Sequence, residues 1–339
     1  MQIKSLFIVS SLSALAAIAA PAGAGATYYP LTLSNCGVEV TYDNPPERAI
    51  ALGQNSAEIM LLLGLEDKMA GTAFWPNNVL PELADANAAV KLLTVEFPTF
   101  ESILAEQPDF VAAALPTLMG PDSNVAKRED FENIGITTYL SPNTCLSTAQ
   151  VHDAYGSRDA LWNMDLLYRE IDQLSQIFDV EERGQALIES FRAREAALRS
   201  AVAAGGRDLS YVFWFSSPEP TADAYLGGKN AASGYIAELL GGHNAVTADA
   251  EWPTLGWEGI IALEPDVIVV ASLDRNRWEL DKPEAKIEFL TTDPATSQMP
   301  AVRNHAIVVM DGQAMNPTIR TIYGAEQIAT QLKELGLIR

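Results

Sequence analysis

Aromatic, amide and arginine side chains gather in loops that follow the predicted strands of this chain. Such side chains suit ligand binding, because aromatic rings give large rigid contact surfaces and arginines bind anionic oxygens. No glycine-rich phosphate loop or nucleophile-elbow sequence accompanies them, and the three histidines lie far apart. The sequence therefore predicts a binding cleft without a catalytic centre, a resident metal or a cofactor. Its expected lining residues are Gln54, Asn55, Trp75, Phe97, Trp214, Tyr225, Trp252, Arg275, Arg277 and Arg320. For each tryptophan ordinary packing is the alternative, and for each arginine a solvated loop.

Two stretches of the chain nearly repeat each other. TFESILAEQPDFVAAA at residues 99–114 is followed by GWEGIIALEPDVIVVA at residues 256–271, which aligns Glu101 with Glu258. Both read as an aromatic residue and a glutamate, a short helix, Pro-Asp and an apolar strand. A weaker echo joins SAEIMLLLGL to SGYIAELLGG. Two echoes in the same order favour two related halves over shared generic patterns.

Strands alternate with helices on both sides of a helical segment, which predicts two α/β lobes with parallel sheets. A hairpin is expected within residues 27–47, and short strands at RAIAL, KMAGTA, FVAAAL and ITTYL. The amphipathic pattern of residues 159–180 predicts a connecting helix, and a second long helix follows it. The predicted domains are a first lobe at residues 27–158, this connector, and a second lobe at residues 181–339.

The first 26 residues have the pattern of a secretory signal peptide, with Lys4, an apolar run and small residues up to Ala26. The apolar run is short for a membrane span, so no direct membrane insertion is expected. A formal net charge of −22 argues against nucleic acid or an anionic membrane as partner. In an exported protein, Cys36 and Cys145 are expected to form a disulfide, with two buried thiols as the alternative.

Several of these segments together resemble one family. The signal peptide, PERAIALGQNSAEIMLLLGLEDKMAG, FESILAEQPDFV, the connecting helix and WEGIIALEPDVIVV are similar to periplasmic binding proteins for iron–siderophore complexes, cobalamin and haem. These proteins are the extracytoplasmic receptors of ABC importers. The resemblance covers essentially the whole mature chain. It implies two Rossmann-like α/β lobes joined by one long rigid helix, a ligand cleft between the lobes, and a periplasmic monomer that meets an ABC permease of the inner membrane.

The resemblance also implies a cargo and a docking role for two glutamates. We expect an iron–siderophore-type chelate, with iron carried as part of the bound ligand and no cofactor of the protein itself. Cobalamin or haem is the alternative cargo, and a two-lobed metallocofactor enzyme or chelatase-like protein is the alternative from another class. By motif position, Glu101 and Glu258 correspond to the glutamates that dock the permease, although a helix-start glutamate favoured by the helix dipole gives the same pattern.

Overall fold

The computed structural model describes residues 26–145, 157–203, 208–275 and 277–338. Apart from Ala26, the predicted signal peptide lies outside the described residues. Within the described residues, no helix combines the length and the hydropathy needed to cross a membrane.

The strands and helices alternate as the sequence predicts. The strands are β1 Leu31–Asn35, β2 Val38–Tyr42, β3 Ala49–Leu52, β4 Met69–Ala73, β5 Leu92–Thr94, β6 Phe110–Ala113, β7 Thr137–Leu140, β8 Ser210–Ser216, β9 Ala224–Leu226, β10 His243–Asn244, β11 Thr254–Leu255, β12 Val267–Ser272 and β13 Ile307–Asp311. The α-helices are α1 Gln54–Leu62, α2 Ala84–Ala88, α3 Phe100–Leu104, α4 Pro116–Met119, α5 Arg128–Glu132, α6 Pro142–Cys145, α7 Asp165–Ile177, α8 Glu181–Ala203, α9 Ala232–Leu239, α10 Trp257–Ala262, α11 Pro283–Thr292, α12 Pro300–Arg303 and α13 Arg320–Glu334. Short 3-10 turns lie at Glu66–Lys68, Pro81–Leu83, Glu279–Asp281, Thr296–Gln298 and Gly312–Met315.

The first lobe is built on a parallel sheet with the strand order β5-β4-β3-β6-β7. Strands β3 and β6 are buried along their whole length, as their continuous apolar sequences predict. The β1–β2 hairpin is held to this sheet by the Tyr42 hydroxyl, which donates to the carbonyl of Thr138 at 2.9 Å. The predicted hairpin and the four predicted strands of this half are confirmed.

The second lobe is built on a mixed sheet with the strand order β11-β9-β8-β12-β13, and β10 pairs with the start of β8. Strands β8, β12 and β13 are parallel, and β9 and β11 add an antiparallel edge. The chain is thus an α/β protein with two sheet-based lobes. The carboxyl ends of the parallel strands carry the loops that build the binding site.

The chain passes from one lobe to the other through α7 and α8. Helix α7 begins at Asp165 rather than at residue 159, because the segment before it lies against the second lobe, where the amide of Trp162 donates to the carbonyl of Asn230 at 2.9 Å. The second long helix, α8, contacts both lobes. Its Arg183 donates to the carbonyl of Leu63 at 3.1 Å, and its Arg194 pairs with Glu326 on α13.

The repeated sequence occupies equivalent places in the two lobes. Helix α3 leads into β6 beside β3, and α10 leads into β12 beside β8. The aspartate of each Pro-Asp pair accepts a hydrogen bond from the backbone at the start of the neighbouring strand. Asp109 bonds the amide of Arg48 at 2.9 Å, and Asp266 bonds the amide of Ser210 at 2.9 Å. The repeat therefore encodes one structural unit, used once in each lobe.

The weaker echo is structural as well. Helices α1 and α9 are each followed closely by a glycine in the left-handed region, Gly64 with φ 67° and Gly241 with φ 73°. Glycine reaches this conformation at little steric cost, which explains why both Leu-Leu-Gly sequences end a helix.

Candidate ligand-binding site

A groove of about 450 Å³, called here the main groove, lies between the two lobes. The first lobe contributes Phe74, Pro76, Phe97, Leu115 and Thr117. The second lobe contributes Phe215, Tyr225, Trp252, Arg275, Arg277, Trp278, Gln313 and Asn316. Most of these residues lie in loops that follow β4, β6, β12 and β13, so the groove lies at the carboxyl ends of the parallel strands of both sheets. Of the predicted lining residues, Phe97, Tyr225, Trp252, Arg275 and Arg277 come together here.

The walls of the main groove are built from aromatic pairs. Phe74 and Phe97 have ring centroids 4.7 Å apart on the first lobe. On the second lobe, Phe215 lies 4.6 Å from Trp252. The ring of Tyr225 stacks on Trp278 at 5.6 Å, with an angle of 8° between the planes. These pairs give both walls rigid apolar faces that suit a bulky ligand.

Arg275 brings a cation to the main groove, and a buried carboxylate neutralises it. Its Nε and Nη2 donate to Asp281 at 3.2 and 3.1 Å, and its guanidinium carbon lies 5.2 Å from the ring centroids of both Phe215 and Trp278. Burial alone would raise the pKa of Asp281, but hydrogen bonds from Ser216 and Arg275 hold it below its usual range. Asp281 is therefore ionised and compensates the charge of Arg275.

Arg277 differs from its neighbour because its side chain is exposed. Its backbone amide donates to Asp281 at 3.1 Å, and within the described residues its guanidinium makes no ion pair. The excess charge of the groove is therefore carried mainly by this one arginine.

Gln54 and Asn55 lie deeper than predicted, at the start of α1, where they are 5% and 7% exposed. They border a small cavity of about 40 Å³. Their amide groups are already engaged: Gln54 donates to Glu58 at 3.1 Å, and Asn55 accepts from the amide of Ile319 in the second lobe at 3.0 Å. The amide of Asn55 thus links the two lobes, whereas the amide of Gln54 bonds within the first lobe.

Arg320 does not line the main groove, although it borders a separate cavity of about 330 Å³. It begins α13, is 5% exposed, and forms ion pairs with Glu58 of the first lobe and Asp311 of the second. Although burial alone would lower the pKa of Arg320, its bonds to Glu58 and Asp311 raise it above its usual value. The arginine has partners distant in the sequence, which the sequence pattern could not reveal.

Trp214 is also misplaced by the sequence prediction, because it belongs to the core of the second lobe. It is 1% exposed, its indole nitrogen donates to Ser217 at 3.0 Å, and its ring meets Trp257 edge-on at 4.7 Å. Successive side chains of a strand point to opposite faces, so the next residue of β8, Phe215, reaches the groove instead. Every residue of YVFWF is apolar, so the sequence does not reveal which face of the strand meets the cleft.

Trp75 lines a second cavity of about 900 Å³, called here the side cavity, that adjoins the main groove. Its indole nitrogen donates to Thr72 at 3.0 Å, and its side chain is largely buried. Phe74 and Trp278, which sequence reasoning missed, contact the main groove directly. Trp278 follows Arg275 closely in the chain, and this proximity could have indicated that it lines the same groove.

Residues 50–314 match the Periplasmic binding protein family. The chain belongs to this family. A vitamin B12-binding protein of Vibrio parahaemolyticus is 26% identical over 87% of this chain and 91% of its own length. A solved structure titled as an ABC-type Fe3+-hydroxamate transport system, from Saccharomonospora viridis, has 27% identity, a TM-score of 0.70, and coverage of 90% of this chain and 99% of that chain. A periplasmic binding protein of Veillonella parvula shares the fold, with a TM-score of 0.74 at 22% identity over 89% of this chain and 97% of its own.

Membership makes this chain a substrate-binding protein of the ABC-importer class, which works with a membrane permease and is not an enzyme. It also implies an extracytoplasmic location. Within the described residues, no group of three or more histidine, cysteine, aspartate or glutamate side chains is arranged to hold a metal ion.

The two repeated glutamates of this binding protein lie at its surface. Glu101 and Glu258 are exposed in the first turns of α3 and α10. Thr99 caps α3 as predicted, since its side chain accepts from the amide of Ser102 at 3.2 Å. Both carboxylates are thus available to another protein, and their docking role stays a prediction.

Cys36 and Cys145 are joined by a disulfide in the structure, with their Cα atoms 5.1 Å apart. The bond links the turn of the β1–β2 hairpin to the end of α6. It therefore closes most of the first lobe into one loop.

A buried carboxyl lies behind the small cavity. Glu170 on α7 is fully buried, and one of its oxygens accepts from Ser141 at 2.5 Å and from Asn143 at 3.3 Å. Its other oxygen has no hydrogen-bond partner in the described residues. Burial raises the pKa of Glu170 to about 7, and the hydrogen bonds from Ser141 and Asn143 only partly oppose that rise.

Proposed function

We propose that this binding protein captures a bulky, nearly neutral metal chelate of the iron–siderophore type in the main groove and delivers it to an ABC permease of the inner membrane. The observation that carries the proposal is the combination of aromatic walls with a neutralised Arg275. Iron travels as part of the cargo and is not a resident metal of the protein.

The charge of the groove supports a neutral chelate. A strongly anionic catecholate complex loses its hydration on binding, so it needs several free cations around it. Arg275 is compensated by Asp281, which leaves Arg277 as the exposed arginine of the groove lining in the described residues. A trishydroxamate ferric complex has little net charge and exposes much carbon, so it fits the aromatic walls. The similarity to a structure titled as a Fe3+-hydroxamate transport system agrees with this choice.

A corrinoid such as cobalamin is the second candidate. The vitamin B12-binding protein of Vibrio parahaemolyticus is similar to 87% of this chain. The broad faces of Trp252 and Tyr225 would also suit a planar macrocycle. Haem is also a flat macrocycle, so it is tested together with cobalamin.

A thermal-shift panel tests the proposal. The probes are ferrichrome as a neutral hydroxamate, ferric enterobactin as an anionic catecholate, ferric citrate, cyanocobalamin and haemin. We expect ferrichrome to raise the unfolding midpoint most, because it should bind most tightly. A ligand present at a hundred times its Kd stabilises the folded state by about 2.7 kcal/mol. A shift with cyanocobalamin alone would select the second candidate. The absence of a shift with every chelate would refute the function.

We further propose that Glu101 and Glu258 orient this protein on the permease. Two exposed carboxylates at equivalent positions of two lobes can meet two basic sites of a permease with two-fold symmetry, and such pairs favour encounter and orientation. In cells that depend on this importer, the variant with both glutamates changed to alanine should bind ligand normally while uptake falls. Glu129→Ala, at an exposed glutamate of α5, is the matched control. Unchanged uptake in the double variant would refute the assignment.

A further inference from the structure

The side cavity is continuous with the main groove. Phe74, Pro76, Arg275 and Arg277 line both spaces. The side cavity has a volume of about 900 Å³, against about 450 Å³ for the main groove. A ligand bound in the main groove can therefore extend into the side cavity past these four shared residues.

The outer rim of these two spaces is apolar and exposed. Leu92 and Val95, which line the side cavity, are 48% and 53% exposed, and Phe97, which lines the main groove, is 40% exposed. Seven large apolar side chains are exposed in the described residues, and these three lie within residues 92–97, at the edge strand β5. An exposed apolar patch beside a binding groove marks a surface that contacts a partner or ligand.

Three polar side chains in the wall of the side cavity already have partners. The indole nitrogen of Trp75 donates to Thr72 at 3.0 Å. The side-chain amides of Asn77 and Asn78 donate to Asp311 and Asp274, each at 2.8 Å. These donors are used inside the protein, so the hydrogen-bonding capacity that this cavity keeps for a ligand lies mainly with exposed side chains such as Glu96 and Arg277. Hydrocarbon fits the part of the wall around Trp75, Asn77 and Asn78 better than a polar group does.

Phe74 lies at the junction of the two cavities in a rare backbone conformation. Its φ is 65°, a value that costs a bulky residue on the order of 1–3 kcal/mol. Its amide donates to the carbonyl of Thr94 at 3.0 Å, and its ring lies against Phe97. Strain kept at such a position is typical of residues that contact a ligand.

We propose that the side cavity holds an apolar acyl arm of the chelate, so that the cargo class is an acylated, amphiphilic metal chelate. The metal centre lies against the aromatic walls of the main groove. The acyl arm passes Phe74 and packs on Trp75, Leu92 and Val95. The exposed guanidinium of Arg277 lines both spaces and can donate to a carbonyl oxygen where the arm joins the chelate. This inference rests on the proposed function and extends it to the class of cargo.

The test compares two neutral ferric complexes that differ only in the length of an acyl chain. Ferrioxamine B is acylated on its terminal amine with either an acetyl or an octanoyl group, and the Kd of each complex is measured by isothermal titration calorimetry. Each buried methylene is worth roughly a fourfold change in Kd. Burial of about three of the extra methylenes then makes the octanoyl complex bind at least tenfold more tightly.

Substitutions at the rim locate the effect. The double variant Leu92→Ser with Val95→Ser should bind the acetyl complex within about twofold of wild type and lose most of the octanoyl preference. Both side chains are exposed, so the fold should tolerate the change. The control Val38→Ser with Leu335→Ser alters two exposed apolar residues that line neither cavity, and it should keep the full preference.

The outcomes separate this inference from the proposed function. Equal affinities of wild type for the two complexes would overturn the proposal that the side cavity holds an acyl arm, and chelate binding in the main groove would still stand. An octanoyl preference that survives the substitutions at Leu92 and Val95 would also overturn it. If neither hydroxamate binds but another chelate of the panel does, the inference fails and chelate capture remains. If no chelate binds, both fail.

Discussion

The substitution Arg320→Met tests whether a buried ion-pair network holds the two lobes together. Arg320 is 5% exposed, and its main partner across the lobes, Glu58, is 1% exposed. The arginine Nε donates to Glu58 at 2.9 Å, a second nitrogen pairs with the same carboxylate, and a third pairs with Asp311. Methionine preserves much of the volume of the stem and removes the charge, so the change isolates the electrostatic contribution.

The expected cost follows from the carboxylate that is left behind. Removing one partner of a buried ion pair costs about 3–5 kcal/mol, because the remaining charge stays buried without compensation. Glu58 keeps hydrogen bonds from Gln54 at 3.1 Å and from the amide of Leu80 at 3.2 Å, which places the expected loss near the lower end, at about 3 kcal/mol.

Urea unfolding followed by tryptophan fluorescence measures this loss. Adding Glu58→Gln to Arg320→Met should recover part of it, since the double variant buries no unpaired charge at Glu58, and the coupling should reach about 2 kcal/mol. Lys229→Ala is the control, because its ion pair with Asp249 is largely exposed and is worth at most about 1 kcal/mol. A loss below about 1 kcal/mol in Arg320→Met, with no coupling to Glu58, would refute the reasoning.

Burial raises the pKa of Glu170 to about 7, above the ordinary value of the unfolded chain, so the folded protein binds an extra proton between these values and its stability falls as pH rises through them. Between pH 5 and 7, the advantage of Glu170→Gln over wild type in free energy of unfolding should therefore grow by on the order of 1 kcal/mol per pH unit. Curves of unfolding free energy against pH that run parallel for the two proteins would contradict this. For Glu101→Ala with Glu258→Ala, transport assays should show reduced uptake with an unchanged ligand Kd, and a weakened Kd would instead assign these residues to the binding site. Replacing both Cys36 and Cys145 by serine removes a cross-link across a sequence separation of 109, which should lower the free energy of unfolding by about 4–5 kcal/mol; urea curves that match oxidised wild type would exclude a stabilising disulfide.

The sheets could be predicted from the sequence because the signals that encode them are local. The apolar runs of β3, β6 and β12 are buried along nearly all of their length, which is typical of short strands in a parallel sheet covered on both faces. The alignment of Glu101 with Glu258 located the matching helix of each lobe for the same reason. The short edge strands β5, β9 and β11 were not predicted, since two or three residues are too few to show a period.

The binding site was predicted only in part because it depends on contacts between distant residues. Arginine is a residue type that often binds ligands, but Arg320 instead forms a buried ion pair with Glu58, which lies 262 positions away. Trp214 and Phe215 are adjacent and both aromatic, so the twist and packing of β8 decide which of them meets the groove. By contrast, Trp252 and Arg277 lie in loops at the cleft. Their residue types and their positions after predicted strands both indicate a lining role, and both residues line the main groove.

The most direct test of the central claim is the affinity of ferrichrome for the wild-type protein and for Trp252→Ala, measured by isothermal titration calorimetry. Trp252 forms part of the aromatic wall of the main groove, and truncating a tryptophan at the centre of a contact surface commonly costs 2 kcal/mol or more, so the Kd should rise at least about tenfold. Tyr28→Ala, at an aromatic residue that is 92% exposed and outside the groove, should leave the Kd unchanged. One-to-one binding by wild type that weakens in Trp252→Ala alone is the predicted result. Failure of wild type to bind, or equal affinity in Trp252→Ala, would contradict capture of a neutral chelate in this groove.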